Sequence, residues 1–144
     1  MAVQPSARPK ALGVDLGERR IGLAVAAGDV AVPHATLERS GDPAADRAAI
    51  VAAAREAACN RIVVGIPTSL SGGVGPAAAA ARLELDALRS LAPDLEVVAF
   101  DERFTTVIAE RELRAAGLSS KQQRRVVDET AATVMLQSYL ERRA

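Results

Sequence analysis

Carboxylates at three places in the chain stand in apolar surroundings and are the residues best suited to chemistry. Asp15 lies inside the apolar run 11–17, Asp101 and Glu102 follow the apolar run 95–100, and Asp128 follows two valines. Ionised carboxylates are almost never buried without a cationic partner or a metal ion. Their oxygens suit hard divalent cations such as Mg²⁺ or Mn²⁺. A pair of such ions about 4 Å apart can support phosphodiester hydrolysis.

The segment around Asp15 has one face without bulky side chains. Residues 11–17 alternate, with leucine and valine at the even positions and Asp15 on the opposite face, which predicts a strand. A short turn leads to a second alternating run at 21–26, so the two runs predict a hairpin. The small face leaves room for a ligand or for a closely packed helix. A solvated Asp15, or one in a salt bridge with Arg19 or Arg20, is the alternative interpretation. The residues that share the Asp15 face are Gly13, Gly17, Gly22, Ala24 and Ala26.

Asp101 and Glu102 end a second apolar strand and must point in different directions. Side chains alternate along a strand, so Glu102 is expected on the same face as Val98 and Phe100, and Asp101 on the other face. The pattern alone leaves open which of the two points towards Asp15. A solvated surface cluster at the strand end is the alternative interpretation.

Asp128 is expected on the last helix of the chain. It precedes Ala131 and Ala132 by three and four residues, which predicts that all three share one side of the helix. Small residues there would let the helix lie close to the sheet, so that a short aspartate could reach across it. An aspartate on the solvated border of an amphipathic helix is the alternative.

The periodicity predicts an α/β fold with three strands first and then alternating helices and strands. Asp42 is a plausible N-cap for a helix that begins at Pro43. Pro33 lacks the N–H that an interior strand donates, so the third strand belongs at a sheet edge. The order implies a five-stranded mixed sheet, antiparallel over its first three strands, with helices on both faces. The predicted strands are 11–17, 21–28, 30–38, 61–67 and 95–100, and the predicted helices are 43–59, 76–91, Thr105 or Thr106 to 117, and 121–142.

Length and composition narrow the classes of function. A chain of 144 residues matches one domain, expected over 10–144 after a flexible tail at 1–9. The absence of an apolar signal or a long apolar span predicts a cytoplasmic protein without a membrane partner. One cysteine and one histidine cannot build a zinc site. A net charge of zero argues against indiscriminate nucleic-acid binding, and 2% aromatic residues argue against a base-stacking platform.

Four segments in this order resemble the YqgF/RuvX family. That family is related to RuvC and comprises Holliday junction resolvases that are also described as pre-16S rRNA nucleases. The resemblance extends from about residue 10 over nearly the whole chain. The matching segments are GVDLGERRIGLAV at 13–25, VVGIP at 63–67, FDERFTT at 100–106 and VVDETAA at 126–132.

The resemblance implies a ribonuclease H-like fold and a metal-dependent endonuclease acting on structured RNA, branched DNA or both. Its catalytic, metal-binding acids would be Asp15, Glu102 with Asp101 as neighbour, and Asp128, holding Mg²⁺ or Mn²⁺. In RuvC relatives the second acid comes from the central strand, whereas that strand here contains VVGIP. This departure favours Glu102 in that role.

Basic residues near the acids are candidates for positioning the substrate. Phosphate contacts from such residues set the position of a nucleic acid. An equally good interpretation of the basic residues from Lys121 to Arg125 is that they are ordinary surface residues. Resolution of a junction needs paired cuts, which predicts a homodimer. The candidate substrate-binding residues are Arg20, Arg103, Lys121, Arg124 and Arg125.

Two rival functions are compatible with parts of the pattern. The Asp-x-Gly motif at 15–17 also occurs in ATPases of the actin and sugar-kinase type, but those proteins need a second lobe and this chain is too short for one. The other rival is a non-catalytic ribosome-assembly or RNA-binding module of the same fold. The lack of an acid in VVGIP favours this module, and the carboxylates at 15, 102 and 128 count against it.

Overall fold

The computed structural model describes residues 10–66, 75–105 and 120–143, and for residues 120–130 it describes the backbone. The tail predicted at 1–9 lies outside the described residues. The helix predicted from Thr105 or Thr106 to 117 also falls almost entirely outside them, at 106–119.

The described strands form one five-stranded mixed sheet, as the periodicity predicts. The order across the sheet is β3-β2-β1-β4-β5. β1 pairs antiparallel with β2, which pairs antiparallel with β3, while β4 pairs parallel with both β1 and β5. The edge position predicted from Pro33 is confirmed, and the register of β2 and β3 shifts beside it, between Leu23 and Ala24. The strands are β1 Ala11–Leu16, β2 Arg20–Ala27, β3 Val30–Glu38, β4 Arg61–Ile66 and β5 Glu96–Asp101.

The described helices are α1 Pro43–Glu56, α2 Pro76–Leu91 and α3 Ser120–Arg143, with a short 3-10 turn at Glu102–Phe104. The predicted start of α1 is confirmed, because the Asp42 carboxylate accepts a hydrogen bond of 3.1 Å from the Ala44 N–H. The helix ends three residues before the predicted end at Cys59. There the backbone turns through Ala58, whose φ of 58° lies in the left-handed region.

Two apolar layers lie on opposite faces of the sheet. One contains Leu12 and Val14 with the buried side chains of α1 and α2. The other contains Ala24, Ala26 and Leu136, because α3 covers the face made of small residues. The helices on both faces that the element order predicts are therefore confirmed.

α3 approaches β1 closely at Gly13. A Cβ atom at this position would lie 2.9 Å from Leu136 Cβ and 3.3 Å from the Ala132 carbonyl oxygen. Ala132 is fully buried, whereas Ala131 is exposed, so of the two alanines predicted to face the sheet only Ala132 does so. In the described part of the chain, no helix is both long and apolar enough to cross a membrane.

Candidate metal centre

Asp15 is the next-to-last residue of β1. It pairs with Gly22 on β2 and is half-buried. Strand alternation puts it on the same face as Gly13, which is the face covered by α3. The face of glycine and alanine predicted around Asp15 is thus covered by α3 at Gly13, two residues before Asp15 on the same face of β1.

Glu102 approaches Asp15 from the far side of β4. It is the first residue of the 3-10 turn after β5. Its Oε1 atom lies 2.9 Å from the place where a Cβ of Gly65 would stand, and Met135 Cγ lies 3.3 Å from the same place. Glu102 therefore lies on the α3 face of the sheet, as alternation with Val98 and Phe100 predicts.

The two carboxyl groups interact directly. Burial, the negative charge of Asp15 and a hydrogen bond with the Asp15 side chain, in decreasing order of effect, together raise the pKa of Glu102 to about 7. Asp101 adds a weaker effect of the same sign. A hydrogen bond between two carboxyl groups needs a proton on one of them. The pair therefore retains a proton to a higher pH than a lone carboxyl group would, at the place where a cation would also neutralise the negative charge.

Asp101 is directed to Arg103 rather than across the sheet. Its Oδ1 accepts the Arg103 backbone N–H at 2.9 Å, which caps the 3-10 turn. Its Oδ2 accepts from Arg103 Nε at 2.9 Å and lies 2.8 Å from Arg103 Nη2. These contacts fix the backbone at the point from which Glu102 projects. Glu102 contacts the Asp15 side chain.

The other predicted site residues are distributed around this pair. Arg20 begins β2, and its Nε donates to Glu38 Oε1 at 3.1 Å. Asp128 belongs to α3, one helical turn before Ala132. Lys121, Arg124 and Arg125 belong to the first turns of α3, and like Asp128 their side chains lie outside the described part of the structure.

The described side chains supply two converging acids for a cation. Among them, no group of three or more histidine, cysteine, aspartate or glutamate side chains is close enough together to hold a metal ion. The carboxylates of Asp15 and Glu102 are oxygen donors of the type that Mg²⁺ and Mn²⁺ prefer. The donor chemistry thus fits a hard divalent cation with two protein ligands from the described residues.

Gly65 is a site residue that the sequence analysis missed. It occupies β4 directly below the Glu102 carboxylate. The one indication in the sequence is a glycine inside the otherwise apolar strand RIVVGI, where glycine marks a bulge or a close approach.

Comparison with known proteins identifies the family. The family model described as "RuvX: Holliday junction resolvase" matches residues 9–142. The chain belongs to the RuvX family. Among its RuvX relatives, a protein of Kineococcus radiotolerans is 46% identical over 90% of this chain and 70% of its own length. A protein of Anaeromyxobacter dehalogenans is 45% identical over 94% of this chain and 98% of its own length. Both carry the name "Putative pre-16S rRNA nuclease".

The RuvX chain also has the fold of a solved RuvC structure. It is similar to Thermus thermophilus RuvC in complex with a Holliday junction substrate, with a TM-score of 0.57 at 15% identity. The match covers 95% of this chain and 98% of that one. The ribonuclease H-like α/β fold implied by the sequence resemblance is confirmed.

Proposed function

We propose that this RuvX-family chain is a metal-dependent endonuclease that hydrolyses phosphodiester bonds of structured nucleic acid. The observation that carries the proposal is the contact between Asp15 and Glu102 in a partly buried site, where burial and the neighbouring charge raise the pKa of Glu102 to about 7. Two like charges held together in this way disfavour the metal-free, fully ionised state. Perturbed carboxylates of this kind are concentrated at functional sites.

The cation in this proposal is Mg²⁺ or Mn²⁺, and its ligands are Asp15, Glu102 and Asp128. When bound, two such ions would activate the attacking water and stabilise the attacking and leaving oxygens. The chain's own contribution is to hold the ligands before the cation arrives. Asp15 is fixed by the pairing of β1 with β2, and Glu102 is fixed by the 3-10 turn that Asp101 caps.

Helical geometry supports Asp128 as the third ligand. Residues 128, 132 and 135 follow a helical spacing of four and three, so their Cα atoms lie along one side of α3. Ala132 packs on Gly13 and Met135 packs beside Gly65. Asp15 lies one pleat beyond Gly13 on the same face of β1. This spacing supports the proposal that residue 128 belongs to the side of α3 that faces the sheet.

Basic residues near these acids are proposed to hold the phosphates of the substrate. Arg20 and Arg103 are 43% and 62% exposed, so each can exchange its carboxylate partner for a phosphate. In the first turns of α3, Lys121, Arg124 and Arg125 precede Asp128 by about one to two turns. Removal of any of them is expected to weaken binding more than it slows bond cleavage.

The proposed substrates are a pre-16S rRNA precursor, cut near its 5′ end, and the four-way DNA junction, both encountered in the cytoplasm. RuvX relatives are named for the first, and the family model is described by the second. Symmetric cutting of a junction would require two active sites, so that activity is proposed to belong to a homodimer.

Cleavage assays with matched variants test the proposal. Wild type and Asp15→Asn are incubated with a precursor rRNA fragment or with a four-way junction, each with Mg²⁺, with Mn²⁺ or with a chelator. Asp86→Asn is the control, because that carboxylate is 75% exposed on α2, outside the proposed site. Metal-dependent cutting by wild type and the control, but not by Asp15→Asn, supports the assignment. If neither substrate is cut, the chain is the non-catalytic module instead. If Asp15→Asn cuts as well as wild type, the assignment of Asp15 as a catalytic metal ligand fails.

A further inference from the structure

Gly65 lies in the strand that separates the two acids. β4 runs between β1, which carries Asp15, and β5, after which Glu102 follows. Gly65 pairs with Phe100 on β5, and the preceding residue of β4 pairs with the residue before Asp15 on β1. Adjacent strands are about 4.8 Å apart, so Glu102 can reach Asp15 only by passing above the backbone of β4.

The space above Gly65 is filled by the Glu102 side chain. A Cβ atom on Gly65 would lie 2.9 Å from Glu102 Oε1 and 3.4 Å from Glu102 Cγ. Met135 of α3 closes the other side, with Cγ 3.3 Å from the same point. Any side chain at position 65 would therefore compete with the Glu102 carboxylate for the same volume.

Backbone conformation does not explain a glycine at this position. The described glycines with positive φ are Gly28 and Gly41, and Gly65 has the ordinary conformation of a β-strand residue. Glycine inside a strand is destabilising relative to alanine. The absence of a side chain, and not the freedom of the backbone, is what position 65 provides.

We propose that Gly65 is a positioning residue, whose missing side chain lets the Glu102 carboxylate cross β4 and meet Asp15 to form the divalent-cation site. The identity of the ligand, a Mg²⁺-like cation, rests on the proposed function. The positioning of Glu102 rests only on the distances between its side chain and the Cβ position of Gly65. It also gives a physical account of the VVGIP segment. Glu102 follows the end of β5, and its carboxylate occupies the volume that a side chain at position 65 of β4 would fill.

Gly65→Ala is the variant that isolates this role. The closest atom that the new methyl group meets is the end of a flexible side chain, so Glu102 is expected to swing away while the fold is retained. Mn²⁺ affinity of the full chain, measured by calorimetry, is expected to fall roughly 10–100-fold, the range seen when the support of a metal ligand is removed. The thermal midpoint without metal is expected to be equal to or higher than that of wild type. Glu102→Ala combined with Gly65→Ala is expected to bind Mn²⁺ no more weakly than Glu102→Ala alone.

Gly13→Ala is the matched control for a structural effect. Its methyl group would meet Leu136 Cβ and the Ala132 backbone, neither of which can swing away. This variant is therefore expected to lower the thermal midpoint, in contrast to Gly65→Ala. A lower midpoint in both variants, with equal losses of Mn²⁺ affinity, would mean that Gly65 serves packing and would overturn the inference.

A second measurement needs no metal and no substrate. Asp15→Asn removes the charge next to Glu102, so at pH 8 it is expected to raise the urea midpoint of the metal-free chain. In the Gly65→Ala background Glu102 has already moved away, and the same substitution is expected to change the midpoint little. An equal rise in both backgrounds would overturn the positioning role. This comparison remains decisive if wild type proves to bind no Mn²⁺ and to cut no nucleic acid, which would refute the proposed function alone.

Discussion

Replacing Glu102 by glutamine is expected to stabilise the metal-free protein at pH 8 and to change it little at pH 5. The pKa of Glu102 is raised from its ordinary 4.5 to about 7 by burial and by Asp15. A group whose pKa is raised on folding contributes stability that is fully present below the unfolded value and is lost as pH rises through the folded value. Wild type should therefore lose stability between about pH 4.5 and pH 7.

The size of the effect follows from the shift. One pKa unit corresponds to about 1.4 kcal/mol, so the rise of the Glu102 pKa from 4.5 to about 7 is equivalent to at most about 3–4 kcal/mol. Solvent screening at this half-buried site reduces that amount. Glutamine can hydrogen-bond to Asp15 without carrying a second negative charge. At pH 8 the variant should therefore keep most of the folding stability that wild type loses as the pH rises. The free energy of unfolding at pH 8 is expected to be about 1–3 kcal/mol higher in the variant than in wild type, a change as large as the effect of many single mutations.

Urea unfolding followed by circular dichroism, with a chelator present, measures this difference at pH 5 and pH 8. Glu56→Gln is the matched control, because Glu56 is exposed at the end of α1 and should give the same small change at both pH values. A Glu102→Gln variant whose midpoint follows that of wild type at both pH values would refute the proposed contact with Asp15. A variant less stable than wild type at pH 8 would refute the sign of the electrostatic argument.

Three further outcomes are expected. Gly13→Ala should lower the free energy of unfolding by about 1–3 kcal/mol in urea titrations, because its methyl group would overlap Leu136; an unchanged midpoint would contradict the close packing of α3 on β1. Mg²⁺ or Mn²⁺ at 100 times its dissociation constant should stabilise wild type by about 2.7 kcal/mol in thermal melts, and an equal gain in Asp15→Asn would exclude this site. Arg103→Ala should reduce nuclease activity while leaving the melting temperature within a few degrees, because it removes only the ion pair between the exposed Arg103 and Asp101. Activity equal to that of wild type would rule out both proposed roles of Arg103, in binding phosphate and in holding Asp101.

The elements and their faces could be predicted because each depends on local patterns. Alternation around Asp15 defined β1, and Pro33 predicted the edge position of β3. The face made of glycine and alanine indicated room for a ligand or a helix, and α3 lies there, with Leu136 against Gly13. These features are set by side-chain size and strand period, which the sequence states directly.

The meeting of the two acids could not be predicted from local patterns. It depends on β4 lying between β1 and β5, and strand order is a property of the whole sheet. It also depends on the 3-10 turn after β5, where Asp101 caps the backbone and directs Glu102 across the strand. The role of Gly65 follows from both of these and becomes visible only as a distance between residues 37 positions apart.

Anomalous diffraction from crystals soaked in Mn²⁺ is the most direct test of the central claim, that Asp15 and Glu102 together hold a catalytic cation. The structure predicts an anomalous peak between the two carboxylates, within coordination distance of an oxygen from each, and its loss in Asp15→Asn crystals grown in the same form. A peak contacting neither carboxylate, or none at saturating Mn²⁺ with both side chains ordered as described, would contradict it.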